Sequence, residues 1–237
     1  MKITLIGYGK MGHEIEKIAV ERGHIIDLIV DVENLNELKS DTFRSTDVAI
    51  EFTAPKAVLG NIRACFNADI PVVTGTTGWH NELGNIAEEC RKGNHALFHA
   101  SNFSIGVNLF FAINEFTARL LNNFPQYDAA ITETHHIHKL DAPSGTAISL
   151  AEILVKQLDK KTSWQPDVSG DHILPVRSIR EGEVTGIHEV RYTSEVDFIQ
   201  LTHHAHSRKG FALGAVIAAE FIRDKAGIFT MRDLLGI

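Results

Sequence analysis

Several classes of protein are excluded by what this chain has little of. Its 237 residues contain only two cysteines, Cys65 and Cys90, and they form no CxxC pair. Both fall in segments that read as helices, where a thiol packs as a small apolar group. This suits a reducing compartment, and a cytoplasmic location is expected. No apolar run is long enough to span a bilayer, and because Lys2 already opens a strand, no signal peptide is expected. No basic block is present and the net charge is −7. Binding to nucleic acid or to an anionic membrane is therefore not expected. Repeats and low-complexity segments are absent too. What remains is an ordinary globular composition, 44% apolar and 22% charged, long enough for one large or two modest domains. The one excess is histidine, with 13 residues.

The first half alternates strand and helix signals. Lys2–Ile6 is a short apolar run that reads as a buried strand, and it enters Gly7-Tyr8-Gly9-Lys10-Met11-Gly12, a GxGxxG. A helix with Ile15, Ile18 and Ala19 on one face follows, closed by Gly23, and residues 24–30 read as a second strand ending at Asp31. Strand, glycine turn, helix, strand and a terminal acid are the parts of a dinucleotide-binding unit. Gly7 would allow the tight turn, Gly9 the approach of a pyrophosphate, and Gly12 the packing of helix on strand. Asp31 would accept hydrogen bonds from a ribose diol. Further strands are expected at Val48–Phe52, 71–74 and 96–98, and helices at 53–68, with Pro55 in the first turn, and 81–91. The loop Gly75-Thr76-Thr77-Gly78 lies at a strand's carboxyl end, where cofactors of open α/β sheets bind. From Ser104 to Phe124 a long helix is expected. After about residue 170 the pattern changes to strands without helices between them, at 173–176, 186–192 and 197–202, then an apolar helix over 211–222.

The densest chemistry lies in Thr134–Ala147, THHIHKLDAPSGTA. A strand over 127–133 leads in and a helix with apolar residues at Ile148, Ala151, Leu154, Val155 and Leu158 leads out. Pro143 is expected to stop the strand and Ser144 to cap the helix. The backbone N–H groups of Gly145 and Thr146 would then face outward at the positive end of the helix, a place that binds a carboxylate or phosphate. Lys139 adds a cation, and His135 and His136 are proton-transfer candidates near neutral pH. Adjacent residues of a strand point to opposite faces, so one of the two faces the anion at close range.

Two similar histidine runs, at His135, His136 and His138 and at His203, His204 and His206, raise the question of a metal-dependent hydrolase. Alternation along a strand reduces the convergent ligands in each run, and neither Glu133 nor Asp141 stands at a recognised metal spacing. No metal is expected.

Over nearly its whole length the chain resembles the dihydrodipicolinate reductase family of bacterial lysine biosynthesis. The resemblance rests on the glycine loop, on Gly75-Thr76-Thr77-Gly78, on the run Ser101–Asn108, and on His135-His136-x-x-Lys139-x-Asp141-Ala142-Pro143-Ser144-Gly145-Thr146. Residues 182–188 and the stretch from His203 through Arg208 to Gly214 add to it. The glycine loop is one residue shorter than the form common in the family, and trimmed surface loops are expected. The resemblance implies that His135 is the proton donor or acceptor and Lys139 a second proton donor. It makes His136, Ser144, Gly145 and Thr146 substrate contacts. It makes Gly75, Thr76, Thr77, Ala100, Ser101, Asn102 and Phe103 contacts to the nicotinamide side of the cofactor, beside Gly7 to Gly12 and Asp31. It implies an α/β fold: a Rossmann-type doubly wound parallel sheet (residues 1–103 and 213–237), plus an α+β domain with a mixed sheet (104–212) that binds substrate and builds a homotetramer. The implied reaction reduces a cyclic conjugated dicarboxylate with NADH or NADPH. Asp31 followed by Val32 rather than arginine predicts a modest preference for NADH, with Lys10, Lys39 and Arg44 as the nearest cations in sequence. The rival readings are a non-catalytic nucleotide sensor and the metal hydrolase.

Overall fold

A computed structural model describes residues 1–207 and 209–237; Arg208, part of one motif named above, lies outside the described residues. The chain divides into two compact units, Met1–Ile105 with Lys209–Ile237, and the intervening segment from Gly106 onward.

In the first unit, strands β1 (Lys2–Ile6), β2 (Ile25–Val30), β3 (Val48–Glu51), β4 (Val72–Thr74), β5 (Ala96–His99) and β11 (Gly227–Phe229) form one sheet in the order β11-β5-β4-β3-β1-β2. Every pairing is parallel. Parallel strands covered on both faces read as continuous apolar runs, and β3 and β4 are buried at every position. Ile3, Leu5, Val48 and Ile50 point to one face and pack with Ile15 and Ala19 of α1 (Lys10–Glu21) and with Ala215, Val216 and Ala219 of α7 (Lys209–Ile222). Ile6, Ala49 and Leu97 point to the other and meet Ile62 and Phe66 of α3 (Val58–Asn67) and Ile86 of α4 (Leu83–Lys92). Cys65 and Cys90 are in this second layer, both free and buried, and burial pushes both thiols up. The strand order reverses between β1 and β3, so the crevice at their carboxyl ends is the topological switch point, where open α/β sheets receive ligands.

In the second unit, β6 (Asp128–His135), β7 (Ser163–Pro166), β8 (Ile173–Arg180), β9 (Ile187–Thr193) and β10 (Phe198–His204) form a mixed sheet in the order β10-β9-β6-β8-β7. The β10/β9 and β9/β6 pairs are antiparallel and the β6/β8 and β8/β7 pairs parallel. Along β6 buried and half-buried residues alternate, the signature of a sheet with one packed face. That face carries Ala129, Ile131, Val176 and Val190 against Phe110 and Ala118 of α5 (Ile105–Leu121) and Leu150, Ala151 and Leu154 of α6 (Gly145–Gln157).

The elements differ from the sequence reading in a few places. The helix after β3 begins at Val58, not at residue 53, because Thr53 donates its N–H to Thr76 Oγ1 at 2.8 Å and Pro55 falls in the turn that follows. β6 ends at His135, well before Pro143, since His136 already accepts the turn hydrogen bond from Lys139 N. The chain's return to the first unit begins at Lys209 rather than 213, because α7 is continuous from there. The short helix α2 (Asp41–Arg44), β7, β11 and the closing helix α8 (Met231–Leu235) were not foreseen: β7 is a short edge strand ending in proline, and β11 is three residues long.

Candidate active site

The first constellation lies at the switch point. Gly7 leaves β1 with φ +93, a left-handed conformation that favours glycine, and a Cβ there would lie 2.1 Å from the carbonyl oxygen of Phe52. Gly12, on the first turn of α1, approaches the carbonyl of Gly7 so closely that a Cβ would lie 2.6 Å from it. Gly9 is the N-cap of α1, is exposed, makes no side-chain cap, and has open space where a Cβ would be. Of the rest of the loop, Lys10 is exposed and opens the helix, Met11 is half-buried, and Tyr8 hydrogen-bonds Glu16 and packs its ring on His13. Asp31 stands one residue past β2, exposed, with its carboxylate accepting the Val32 N–H at 2.8 Å.

Across the switch point, β4 opens into Gly75, Thr76 and Thr77. A Cβ on Gly75 would lie 2.2 Å from the Phe52 ring, so only glycine fits over that floor. Thr76 is buried and Thr77 exposed. After β5, Ala100 and Asn102 are half-buried and Ser101 exposed, while the Phe103 ring packs in the core against Phe52 and Phe98. Asn102 Oδ1 accepts the Ser104 N–H at 2.9 Å.

The second constellation surrounds the end of β6. Glu133 and His135 are two apart on one strand and so share a face; both are buried. Antiparallel register sets His188 of β9 opposite Glu133. The Glu133 carboxylate accepts the Ser144 N–H at 3.1 Å and the Ser178 hydroxyl at 2.7 Å, and faces His135 Nδ1 at 3.4 Å, Arg180 Nη2 at 3.5 Å and His188 Nε2 at 3.8 Å. Burial pushes this carboxyl up, but the donors from Ser144 and Ser178 outweigh it and hold Glu133 below the usual carboxylate range. Burial pulls the His135 imidazole down and Glu133 offsets this in part, while Lys139 and Arg180 reinforce it. His135 is therefore neutral at pH 7.

Loop and helix complete the arrangement. Ser144 caps α6, its hydroxyl accepting the Ala147 N–H at 3.3 Å and meeting His188 Nε2 at 3.1 Å. Gly145, exposed, and Thr146, half-buried, form the first turn of α6. Lys139 Nζ lies 2.9 and 2.8 Å from the two oxygens of Asp141, whose pKa that hydrogen bond lowers. Arg180 holds the same loop by its backbone, donating to the carbonyls of Lys139 at 3.2 Å and Asp141 at 2.7 Å. His136 is half-buried, with its ring 6.1 Å from that of exposed His138. In the second histidine run, His203 stands opposite His188 across the β10/β9 pair and lies against Phe110, and His204 pairs with His206.

His188 is pushed down to about 4, by burial first and then by the His135 charge. The neutral ring shares a hydrogen bond with the Ser144 hydroxyl. The unfolded chain, with an ordinary histidine, binds more protons than the folded one between pH 6.5 and 4, so this group's stabilisation is complete above that window and lost as pH falls through it. Unfolding free energy should drop by ~2 kcal/mol between pH 6.5 and 5 on this account. In denaturant titrations at those two pH values, His188→Asn should show a smaller drop than the wild type; an equal drop would assign the acid sensitivity elsewhere.

Glu133, His135 and His188 offer ligand atoms within 4.8 Å of one another, a grouping no linear spacing in the sequence announced. Its surroundings suit a cation poorly, because the carboxylate already serves Ser144 and Ser178, and Arg180 stands beside it. Glu133, Ser178, Arg180 and His188 were absent from the sequence-derived site. The Glu-x-His pattern at 133–135, on a strand, was the available signal.

Comparison with known proteins agrees along the whole chain. A family model described as the N-terminus of dihydrodipicolinate reductase matches residues 1–103, and one described as its C-terminus matches residues 106–235. A protein of Christiangramia forsetii named 4-hydroxy-tetrahydrodipicolinate reductase is 47% identical over 239 aligned positions, spanning 99% of this chain and 98% of its own. The protein of that name from Neisseria gonorrhoeae is 32% identical over 231 positions, 94% of this chain and 84% of its own. Among solved structures, a dipicolinate-bound dihydrodipicolinate reductase from Paenisporosarcina sp. TG-14 aligns with a TM-score of 0.80 at 22% identity, over 97% of both chains. That likeness speaks to the fold.

Proposed function

The chain belongs to the dihydrodipicolinate reductase family, and we propose that it reduces 4-hydroxy-tetrahydrodipicolinate to tetrahydrodipicolinate with NADH or NADPH, in the diaminopimelate route to lysine. The observation that carries this beyond family membership is the group at the end of β6. There a neutral imidazole (His135), a cationic side chain (Lys139) and the first turn of α6 (Gly145 and Thr146) belong to one strand–loop–helix segment.

The first unit fits a dinucleotide. The open space over Gly9 and the absence of a side-chain cap on α1 leave the helix end accessible to a pyrophosphate. Gly7 to Gly12, Asp31, Gly75 to Thr77 and Ala100 to Phe103 would hold the cofactor, which when bound supplies the hydride. Gly145 and Thr146, by their backbone N–H groups and the Thr146 hydroxyl, hold the substrate carboxylates together with Lys139 and His136. Ser144 acts from beneath, through its cap and its bond to His188. Glu133 facing Nδ1 favours the tautomer with the proton on that nitrogen, which leaves His135 Nε2 able to take up or pass on a proton. Lys139 carries the proton that a neutral His135 lacks, and we assign it delivery to the substrate. The role of the protein is orientation and charge complementarity. A homotetramer built on the mixed sheet and a cytoplasmic location belong to the same reading. Exposed Phe198 and Ile199 on the edge strand β10 support the first. No helix among the described residues is long and apolar enough to cross a membrane.

The substrate half is tested by pyridine-2,6-dicarboxylate, a planar ring diacid. It should inhibit competitively against the substrate, and Thr146→Val should raise its inhibition constant by ~10–100-fold, the worth of one hydrogen bond to a charged group. Unchanged affinity in the variant would place the carboxylate site elsewhere.

The cofactor half is tested by specificity. The exposed Asp31 carboxylate suits ribose hydroxyls and opposes a 2′-phosphate, and Val32, 80% exposed, offers no positive charge. Wild type should show a modestly higher kcat/KM with NADH than with NADPH. Asp31→Ala should narrow or reverse the ratio, and Val32→Arg should improve NADPH use. A clear wild-type preference for NADPH would mean that Lys10, Lys39 or Arg44 reaches the 2′-phosphate.

A further inference from the structure

At the end of β3 the first unit buries an acid that takes no part in the chemistry above. Glu51 is 0% exposed. Its carboxylate receives Thr74 Oγ1 at 2.5 Å, Thr76 Oγ1 at 3.1 Å, Asn61 Nδ2 at 3.3 Å, and Thr53 Oγ1 in a short hydrogen bond. These four side chains come from four places: the end of β4, the Gly75–Thr77 loop, helix α3, and the turn just past β3.

The direction of these hydrogen bonds is set. Thr76 Oγ1 accepts the Thr53 N–H at 2.8 Å, so its own proton is left for Glu51. Thr53 Oγ1 accepts Asn61 Nδ2 at 3.2 Å, so its proton also goes to Glu51. Asn61 can only donate through that nitrogen. A carboxylate, which offers lone pairs at both oxygens, answers every one of these donors. Thr53, Asn61 and Thr76 all meet Oε1, and Thr74 alone meets Oε2. An apolar side chain in place of Glu51 would leave the Thr53 and Thr76 hydroxyl protons without their shared acceptor. Trp79 Nε1 donates to the Thr76 carbonyl at 2.7 Å and fixes the other side of the loop.

We propose that Glu51 is a positioning residue for the dinucleotide: acting through Thr53 and Thr76, it holds the Gly75–Thr77 loop in the one shape that receives the nicotinamide half of the cofactor. This rests on the reading of that loop as a cofactor site. The adenosine half, at Asp31 and the glycine turn, does not depend on Glu51.

The test measures equilibrium binding of NADH and of ADP-ribose, which lacks the nicotinamide, to wild type, Glu51→Leu, Thr53→Val, Thr53→Ser and the Glu51→Leu/Thr53→Val double variant. Glu51→Leu and Thr53→Val should each weaken NADH by ~10-fold and leave ADP-ribose within about twofold. The double variant should be no weaker than the poorer single one, because both changes break one network. Thr53→Ser, which keeps the hydroxyl, should hold NADH more tightly than Thr53→Val. Unchanged NADH affinity in Glu51→Leu, or parallel weakening of NADH and ADP-ribose, would overturn the proposal. If Glu51→Leu does not fold, the Thr53 pair decides: equal affinities for the valine and serine variants would refute it. Wild type that binds ADP-ribose but not NADH, or neither, would remove the cofactor reading itself.

Discussion

Lys139→Ala should lower kcat by ~10²–10⁴-fold, the usual worth of a general acid, and should also raise KM for the dicarboxylate. Both effects come from one position. Lys139 follows the neutral His135 by four residues, and its loop is held by Arg180 through the carbonyls of Lys139 and Asp141. Its Nζ is paired with Asp141, and Asp141 is exposed. An anionic substrate can therefore compete for that cation. Lys139→Arg separates the two roles, since guanidinium keeps the charge but does not release a proton near neutral pH. It should recover much of the substrate binding and little of the turnover. Steady-state constants for both variants are the check. An alanine variant within a few-fold of wild type would end the assignment.

Glu133→Ala should destabilise the second unit by about 3–5 kcal/mol, the cost of removing one partner from a buried charged group. Its loss strands the Ser144 N–H and the Ser178 hydroxyl and removes the anion that Arg180, His135 and His188 face. Turnover should fall as well, because the carboxylate that faces His135 Nδ1 is lost. NADH affinity should hold, as the glycine turn and Asp31 belong to the other unit. Denaturant unfolding monitored beside NADH titration gives both readings. A loss of stability below ~1 kcal/mol would show that the site tolerates an unpaired Arg180, and the account of Glu133 as its centre would fail.

Local rules in the sequence carried the framework. Alternating β and α signals announced a parallel sheet, and the structure has one. The Ser144 cap was legible because a cap depends on residues three apart, and Ala147 N does bond Ser144 Oγ. The glycine turn was legible for the same reason, and Gly7 and Gly12 meet the close backbone approaches their spacing implied. The hidden parts depend on long-range register. His188 joins Glu133 because β9 pairs antiparallel with β6, and Arg180 arrives from β8. Nothing within a dozen residues of either specifies that meeting. The helix start at 53 was misplaced for a similar reason, since a hydrogen bond to Thr76 from another loop overrides the local preference of Pro55.

The measurement that tests the central claim most directly is NADH oxidation with the condensation product of pyruvate and aspartate semialdehyde as substrate, run with and without a chelator. The account predicts oxidation that depends on both precursors, consumes one NADH for each substrate reduced, is unaffected by the chelator, and is lost in Lys139→Ala. A wild-type protein that binds NADH yet never oxidises it with this substrate would be a nucleotide sensor, and activity abolished by the chelator would restore the metal at Glu133, His135 and His188; either result contradicts the account.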